Sequence, residues 1–560
     1  MRFKSTRASS SSSTISFEEA VFEGLAPDGG LYVPDTIPQL PLATILSWHS
    51  LPFAHIAYNI LSLYISSDEI PAADLRKLLE TSFGTFSHPD VVPLVELPVV
   101  QNRRDMYALE LFHGPTFAFK DVALQVLGNL FEYFLVRQAA KGGKSSGNSK
   151  KSTPPHITVV GATSGDTGGA AIYGLRGKKA VEVIILHPHN RVSPIQELQM
   201  TTVQDANVHN VAVEGTFDDC QEIVKNLFGD LEFKEKYHLA AINSINAARI
   251  LAQIIYYFTS YLALVKRTGV IIDSNGKVVK GELPKVQYSV PTGNFGDILA
   301  GYYALRMGLP IHRLIIATNE NDILTRFFES GSYARNAPSD SNSSNSASSE
   351  VRQTLSPAMD ILVSSNFERL LWYLARGDEA SNTTSSRVSA TDDTRASSKV
   401  AGWMNELKSQ GHFSVSSSEL SLGKKTFDAV RASNPQTAAT IRAYNEAGYL
   451  LDPHSAVGVH AAHQINPSSG TGRVYTVCLA PAHPGKFPET VEEAINTSSS
   501  NKKVSFETFA PQPLKDLRGK TKRVVVIKTG GLGKVAVASG TPQIKALVER
   551  IGKLQNSGKL

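Results

Sequence analysis

A mostly parallel α/β fold is predicted by three features of this 560-residue chain. Short β-branched runs alternate with helical stretches, two glycine-rich turns follow such runs directly, and the composition supports a sizeable core. Hydrophobic residues make up 42% of the chain and charged residues 19%, as in ordinary globular proteins. Residues 157–160 (ITVV) form the first strand candidate, and Gly161-Ala-Thr-Ser-Gly-Asp-Thr-Gly-Gly169 leads from it into an Ala-rich helix. Residues 181–186, 208–213 and 314–317 read as further strands, and 194–202, 218–227 and 247–265 as helices. The second turn, Ser289-Val-Pro-Thr-Gly-Asn-Phe-Gly-Asp297, lies between the strand candidate 286–290 and a helix beginning near Asp297. Parallel sheets bind ligands at strand carboxyl ends, where such turns open helix N-termini suited to anions. Taken singly, each is also compatible with a plain tight turn.

One lysine stands out. Glu110-Leu-Phe-His-Gly-Pro-Thr-Phe-Ala-Phe-Lys-Asp121 places Lys120 among apolar and small residues at a helix start. Desolvation disfavours the ammonium form, so such an amine can add to an aldehyde as a Schiff base. That is the attachment pyridoxal phosphate uses. For a bare Phe-Lys-Asp the alternative is a lysine flanking an amphipathic helix.

Other chemistries are excluded by what the chain lacks. The net charge is +5 with no basic stripe interleaved with aromatics, which argues against nucleic acid. Cys220 and Cys478 have no paired spacing, so neither a disulfide framework nor a metal centre is expected. No apolar run is read as long enough to cross a bilayer. Thr529-Gly-Gly-Leu-Gly-Lys534, after a strand candidate at 523–527, lacks the first glycine of a P-loop and carries Val535 where Ser or Thr would bind magnesium. It is read as a turn within an added loop at 528–540. Residues 1–16 carry Arg2, Lys4 and Arg7 with no acid before Glu18, but little amphipathic periodicity, which favours the cytoplasm over an organelle. Residues 140–153, 336–350 and 377–399 are poor in large apolar side chains and are expected to be disordered insertions.

In this order, the Lys120 segment, Thr163–Gly168 and Pro291–Asp297 resemble threonine synthase in its long, fungal-type form. Further agreement comes from Ser5-Thr-Arg7, Gly24–Pro34, Asn243-Ser-Ile-Asn-Ala-Ala-Arg249, residues 317–324, Ser356–Ile361, Ser364-Ser-Asn-Phe-Glu-Arg369 and Asp452–Gly458. The similarity spans residues 3–487, broken by the three insertions, and only loosely covers the tail after 502. Ser5-Thr-Arg7 belongs to the family's working N-terminus, so removal of a leader there is not expected.

The resemblance implies a fold-type II, tryptophan synthase β-like enzyme: two α/β domains around a cofactor cleft plus an N-terminal subdomain. Segments 1–100, 101–255, 256–500 and 501–560 are expected to form the N-terminal subdomain, the lysine domain, the larger cofactor-phosphate domain and an extension. The cofactor implied is pyridoxal 5'-phosphate, and the reaction converts O-phospho-L-homoserine and water to L-threonine and phosphate, the last step of threonine biosynthesis. Lys120 is then the Schiff-base lysine and proton carrier. Gly293, Asn294, Phe295 and Asp297 resemble the cofactor-phosphate loop. Thr163, Ser164, Gly165 and Thr167 resemble the substrate-carboxylate loop, with Asp166 near the cofactor ring. Asn243, Ser244 and Arg249 resemble the substrate-phosphate site, where an arginine fork suits the anion. The alternatives are a helix-surface Arg249 and an N-cap at Asn243 and Ser244.

The family pattern Thr-Ala-His-Pro-Ala-Lys-Phe becomes Pro481-Ala-His-Pro-Gly-Lys-Phe487 here, and proline offers neither hydroxyl nor N–H to the cofactor nitrogen. Ser455 for Thr is a milder change. Pro481 keeps open a phospholyase that ends in 2-oxobutyrate, while a degenerate binding protein would have lost Lys120 and the anion loops. A monomer or weak homodimer is expected.

Overall fold

Two mostly parallel sheets organise the chain, one in each of two units. The computed structural model describes residues 1–9, 14–142, 155–335, 351–377, 390–465, 473–496 and 503–556. The first unit comprises Met1–Ala20, Leu25–His113 and Ser244–Phe509; the second comprises Val21–Gly24, Gly114–Asn243 and Ala510–Leu560.

In the second unit the strands run in the order Val525–Ile527, Val208–Val213, Val181–Pro188, Ile157–Ala162, Leu239–Ala241, all parallel. Every residue of Val181–Pro188 is buried, as a strand covered on both faces requires. One face packs Ile184, Leu186, Val211 and Val213 against Cys220, Ile223 and Leu227, which come from the helix Phe217–Gly229.

The tail departs from expectation. Val525–Ile527 joins the sheet beside Val208–Val213, so residues 501–560 do not form a separate extension. The loop expected over 528–540 ends at Lys534, where the helix Lys534–Asn556 begins. Its Ile544, Leu547, Val548 and Ile551 fall on one face and complete the same core.

In the first unit the main sheet has six strands, in the order Phe427–Arg431, Ile311–Thr318, Lys285–Pro291, Val474–Ala480, Met106–Glu110 and Leu94–Glu96. All neighbours are parallel except the last pair. A short antiparallel pair of strands, Phe3–Ser5 with Tyr32–Pro34, belongs to this unit too. The units therefore cut the chain otherwise than the four sequence segments: 1–100 lies mostly with the larger sheet, and 101–255 is divided between the units.

Two further expectations change. The helix Ala247–Arg267 is long and apolar enough to cross a membrane by length and composition, but 89% of its most apolar window is buried inside the protein. The segment expected to be an insertion at 377–399 is helical from Ala390, within Ala390–Gln410. Ser397 there accepts from Trp372 Nε1 at 3.0 Å, and Asp393 pairs with Lys4 at 2.5 Å. Residues 378–389, all of 336–350 and 143–153 lie outside the described residues. Both cysteines are buried, which pushes each thiol up to about 12.

Candidate functional site

Lys120 is the first residue of the helix Lys120–Gly142, and the preceding loop is fastened by its neighbour. Asp121, fully buried, accepts from the Thr116 backbone N–H and hydroxyl, both at 2.7 Å. A Cβ on Gly114 would stand 2.5 Å from that carboxylate, so only glycine fits there. The Lys120 side chain is 12% exposed, and its Nζ lies 3.6 Å from Asp166 Oδ2.

Asp166 opens the helix Asp166–Leu175 after the strand Ile157–Ala162. Gln196, buried on the helix Pro194–Thr201, donates to Asp166 Oδ1 at 2.8 Å. Gly165 makes room for this with φ +146; a Cβ would meet Gln196 Oε1 at 2.2 Å. Thr163 Oγ1 accepts from the Gly165 and Gly168 N–H groups, both at 2.9 Å, so it fastens the loop from within. Ser164 is exposed and Thr167 half-buried. All of these residues belong to the second unit.

The first unit carries two more of the expected segments. After the strand Lys285–Pro291, the helix Gly296–Arg306 has Phe295 as its N-cap in the left-handed region, φ 60, with no side-chain cap. The Phe295 ring packs edge-on against Phe367 at 5.1 Å, so this residue serves the loop through its backbone. Ser364 Oγ donates to the Gly293 carbonyl at 2.6 Å, and Asn366 donates to the Asn294 carbonyl from its backbone N–H at 3.0 Å and Nδ2 at 2.9 Å. In a trans peptide the N–H points opposite to its C=O. Anchoring these carbonyls therefore aims the N–H groups of Asn294 and Phe295 the other way, beside a helix N-terminus. That arrangement fits a phosphate dianion. Close approach is built in, since a Cβ on Gly293 would lie 3.1 Å from Met359 Cα.

Asp297 turns inward. Its Oδ1 accepts from the hydroxyls of Tyr256 at 2.5 Å and Tyr257 at 3.0 Å. Burial pushes the carboxyl up to about 7 against the pull of the two hydroxyls. Its backbone carbonyl also accepts from the Tyr257 hydroxyl at 3.0 Å.

Asn243 ends one unit and Ser244 begins the other. The N-cap of Ala247–Arg267 is Asn246, whose side chain accepts from the Ala248 N–H at 3.0 Å. Asn243 and Ser244 thus leave the capping to Asn246. Arg249 is 3% exposed, not a surface charge, and burial brings it down to about 10. Ser244 Oγ lies 3.3 Å from Ser365 Oγ.

Pro481 is buried directly after the strand Val474–Ala480. His483 beyond it accepts from the Gly485 N–H, and burial brings its imidazole down to about 4, so it is neutral at physiological pH. Ser455 donates its hydroxyl to Asp452.

Sequence reasoning named no role for Gln196, Ser364, Ser365, Asn366, Arg369, Tyr256 or Tyr257. Ser364–Arg369 carries part of the family resemblance but no local chemical signal; the rest are polar residues within helices whose partners lie far off in the chain.

Family models match three stretches: "Threonine synthase N terminus" over 2–83, "Pyridoxal-phosphate dependent enzyme" over 87–366 and "Threonine synthase, C-terminal" over 455–537. The last match carries the similarity into the tail past 502. Threonine synthase of Schizosaccharomyces pombe is 50% identical over 499 residues, covering 89% of this chain and 90% of that one. The crystal structure of threonine synthase from yeast superposes with a TM-score of 0.83 at 46% identity, covering 100% and 99% of the two chains. The pyridoxal phosphate-bound threonine synthase of Brucella melitensis gives 0.78 at 38%, covering 98% and 99%. The chain belongs to the threonine synthase family of pyridoxal-phosphate dependent enzymes.

Proposed function

We infer that this chain converts O-phospho-L-homoserine and water to L-threonine and phosphate, with the γ-phosphate leaving and water adding at the β carbon. Pyridoxal phosphate, when bound, supplies the electron sink that lets the α and then the β proton leave. Lys120 holds the cofactor through its amine and, once displaced by the substrate amine, moves protons on the substrate carbons. Asp166, fixed by Gln196, keeps a carboxylate beside that amine. The N–H groups at 294–296 take the cofactor phosphate, with Asp297 supporting them from behind. Ser164 and Thr167 offer hydroxyls to the substrate carboxylate, with Thr163 and Gly165 shaping their loop. Asn243, Ser244 and Arg249 take the substrate's phosphate.

The observation that supports this most is Lys120, 12% exposed at the start of its helix, with a carboxylate partner 3.6 Å from its amine. Phosphate, threonine and 2-oxobutyrate measured together on purified protein with cofactor and O-phosphohomoserine test the reading. Threonine equal to phosphate is expected; phosphate matched by 2-oxobutyrate would overturn it and implicate Pro481. A cytoplasmic location and a monomer or weak homodimer complete the proposal, and sedimentation of the purified chain and imaging of a tagged one check them.

A further inference from the structure

One short stretch of the first unit grips both phosphate segments. Toward the 293–297 loop, Ser364 holds the Gly293 carbonyl and Asn366 holds the Asn294 carbonyl. Toward the 244–249 segment, the same Asn366 Nδ2 donates to the Ser244 carbonyl at 3.2 Å. Arg369 continues the grip: its Nη2 donates to the Ile245 carbonyl at 2.6 Å and its Nη1 to Asn366 Oδ1 at 2.5 Å. Ser365 Oγ stands 3.1 Å from Asn294 Oδ1 and 3.3 Å from Ser244 Oγ, bridging the side chains as Asn366 bridges the main chains. Asn366 is fully buried and Arg369 is 1% exposed.

The same peptide geometry holds on both sides. Holding the Ser244 and Asn294 carbonyls aims the N–H groups of Ile245 and Phe295 away from Asn366. Neither peptide can rotate without losing a hydrogen bond to the one amide, and a buried polar group left unpaired is costly.

We propose that Asn366 is a positioning residue that couples the two anion segments, so that a phosphate ordered on one aims the donors of the other. The coupling is reciprocal, as any linkage between two binding equilibria must be. It rests on the assignment above of 293–297 to the cofactor phosphate and 243–249 to the substrate phosphate.

The test uses the full-length chain with Asn366→Asp and Asn366→Ala. N366D keeps the oxygen that Arg369 uses and removes the two bonds donated by Nδ2, to the Ser244 and Asn294 carbonyls, while the backbone bond to Asn294 stays; thermal unfolding confirms that the variants fold. Pyridoxal phosphate and pyridoxal, which has the same ring and aldehyde but no phosphate, are titrated by absorbance. The KM for O-phosphohomoserine is then measured at saturating cofactor. N366D is expected to bind pyridoxal phosphate about tenfold more weakly with little change for pyridoxal, and to raise the KM by about tenfold with a smaller change in kcat. Equal weakening of pyridoxal phosphate and pyridoxal, or a response confined to one of the two phosphates, would overturn the coupling. A wild-type chain that makes no threonine overturns the functional reading instead, and the two failures are told apart by that control.

Discussion

Asp166 Oδ2 stands 3.6 Å from Nζ of Lys120. The carboxylate cannot swing away, because its other oxygen accepts from the buried Gln196 amide at 2.8 Å. Asp166→Asn is expected to lower kcat by about 10²-fold, in the range of positioned acid–base groups, and to change the pH profile of kcat. Gln196→Leu, which leaves the charge but removes its clamp, should cause a smaller fall. Steady-state kinetics across pH check both; wild-type values for D166N would refute the role.

Asp297 makes stability depend on pH in a definite direction. Its carboxyl is up at about 7 from an ordinary 3.8, so the folded chain holds that proton more tightly than the unfolded chain. Its contribution is fully present below about pH 4 and is lost as pH rises through about 7, by on the order of 4 kcal/mol at most. Asp297→Asn keeps an acceptor for Tyr256 and Tyr257 without that dependence. Denaturant unfolding at a series of pH values should show the variant gaining on the wild type from pH 4 to 8, and parallel curves would contradict this.

Arg249→Lys is expected to fail despite keeping a positive charge. A fully buried ammonium loses its proton more readily than a guanidinium and lacks the planar fork for phosphate. The kcat/KM for O-phosphohomoserine should fall by roughly 10- to 100-fold, mostly through KM, at unchanged cofactor absorbance.

Glu368 fastens the N-terminal segment. It accepts from the Thr6 hydroxyl at 2.6 Å and from Arg7 Nε and Nη2 at 2.9 and 2.6 Å. Glu368→Ala leaves that arginine without its carboxylate and should cost about 3 kcal/mol. Trypsin should then cut after Arg2, Lys4 or Arg7 faster than in the wild type, which peptide mass mapping would reveal.

The strand–turn–helix rhythm and both glycine-rich turns were legible because each is local: a β-branched run, small residues, then a helix start. Lys120 and the loops at 163–167 and 293–297 came from the same local signals. What escaped depends on partners distant in sequence. Asp297 looks like one more polar loop residue until Tyr256 and Tyr257 are folded against it. Asn366 bridges segments centred on residues 244 and 294, and no periodicity can announce such a bridge. The helix Ala390–Gln410 was missed because its polar first turns read as an insertion, although Ser397 and Ala396 are buried.

The pairing of Val525 with Val211 sets the order in which this protein can be completed on the ribosome. Its two partners are about 300 residues apart in the chain, so the strand Val208–Val213 waits with one edge open while the intervening residues emerge. An unpaired edge is a site for mispairing with other chains, and long-range closure is slow. Premature termination before Val525 would leave that edge bare. Nascent chains of this enzyme therefore carry one open sheet edge from the emergence of Val213 until that of Val525, and chaperone cover of that edge matters throughout the interval.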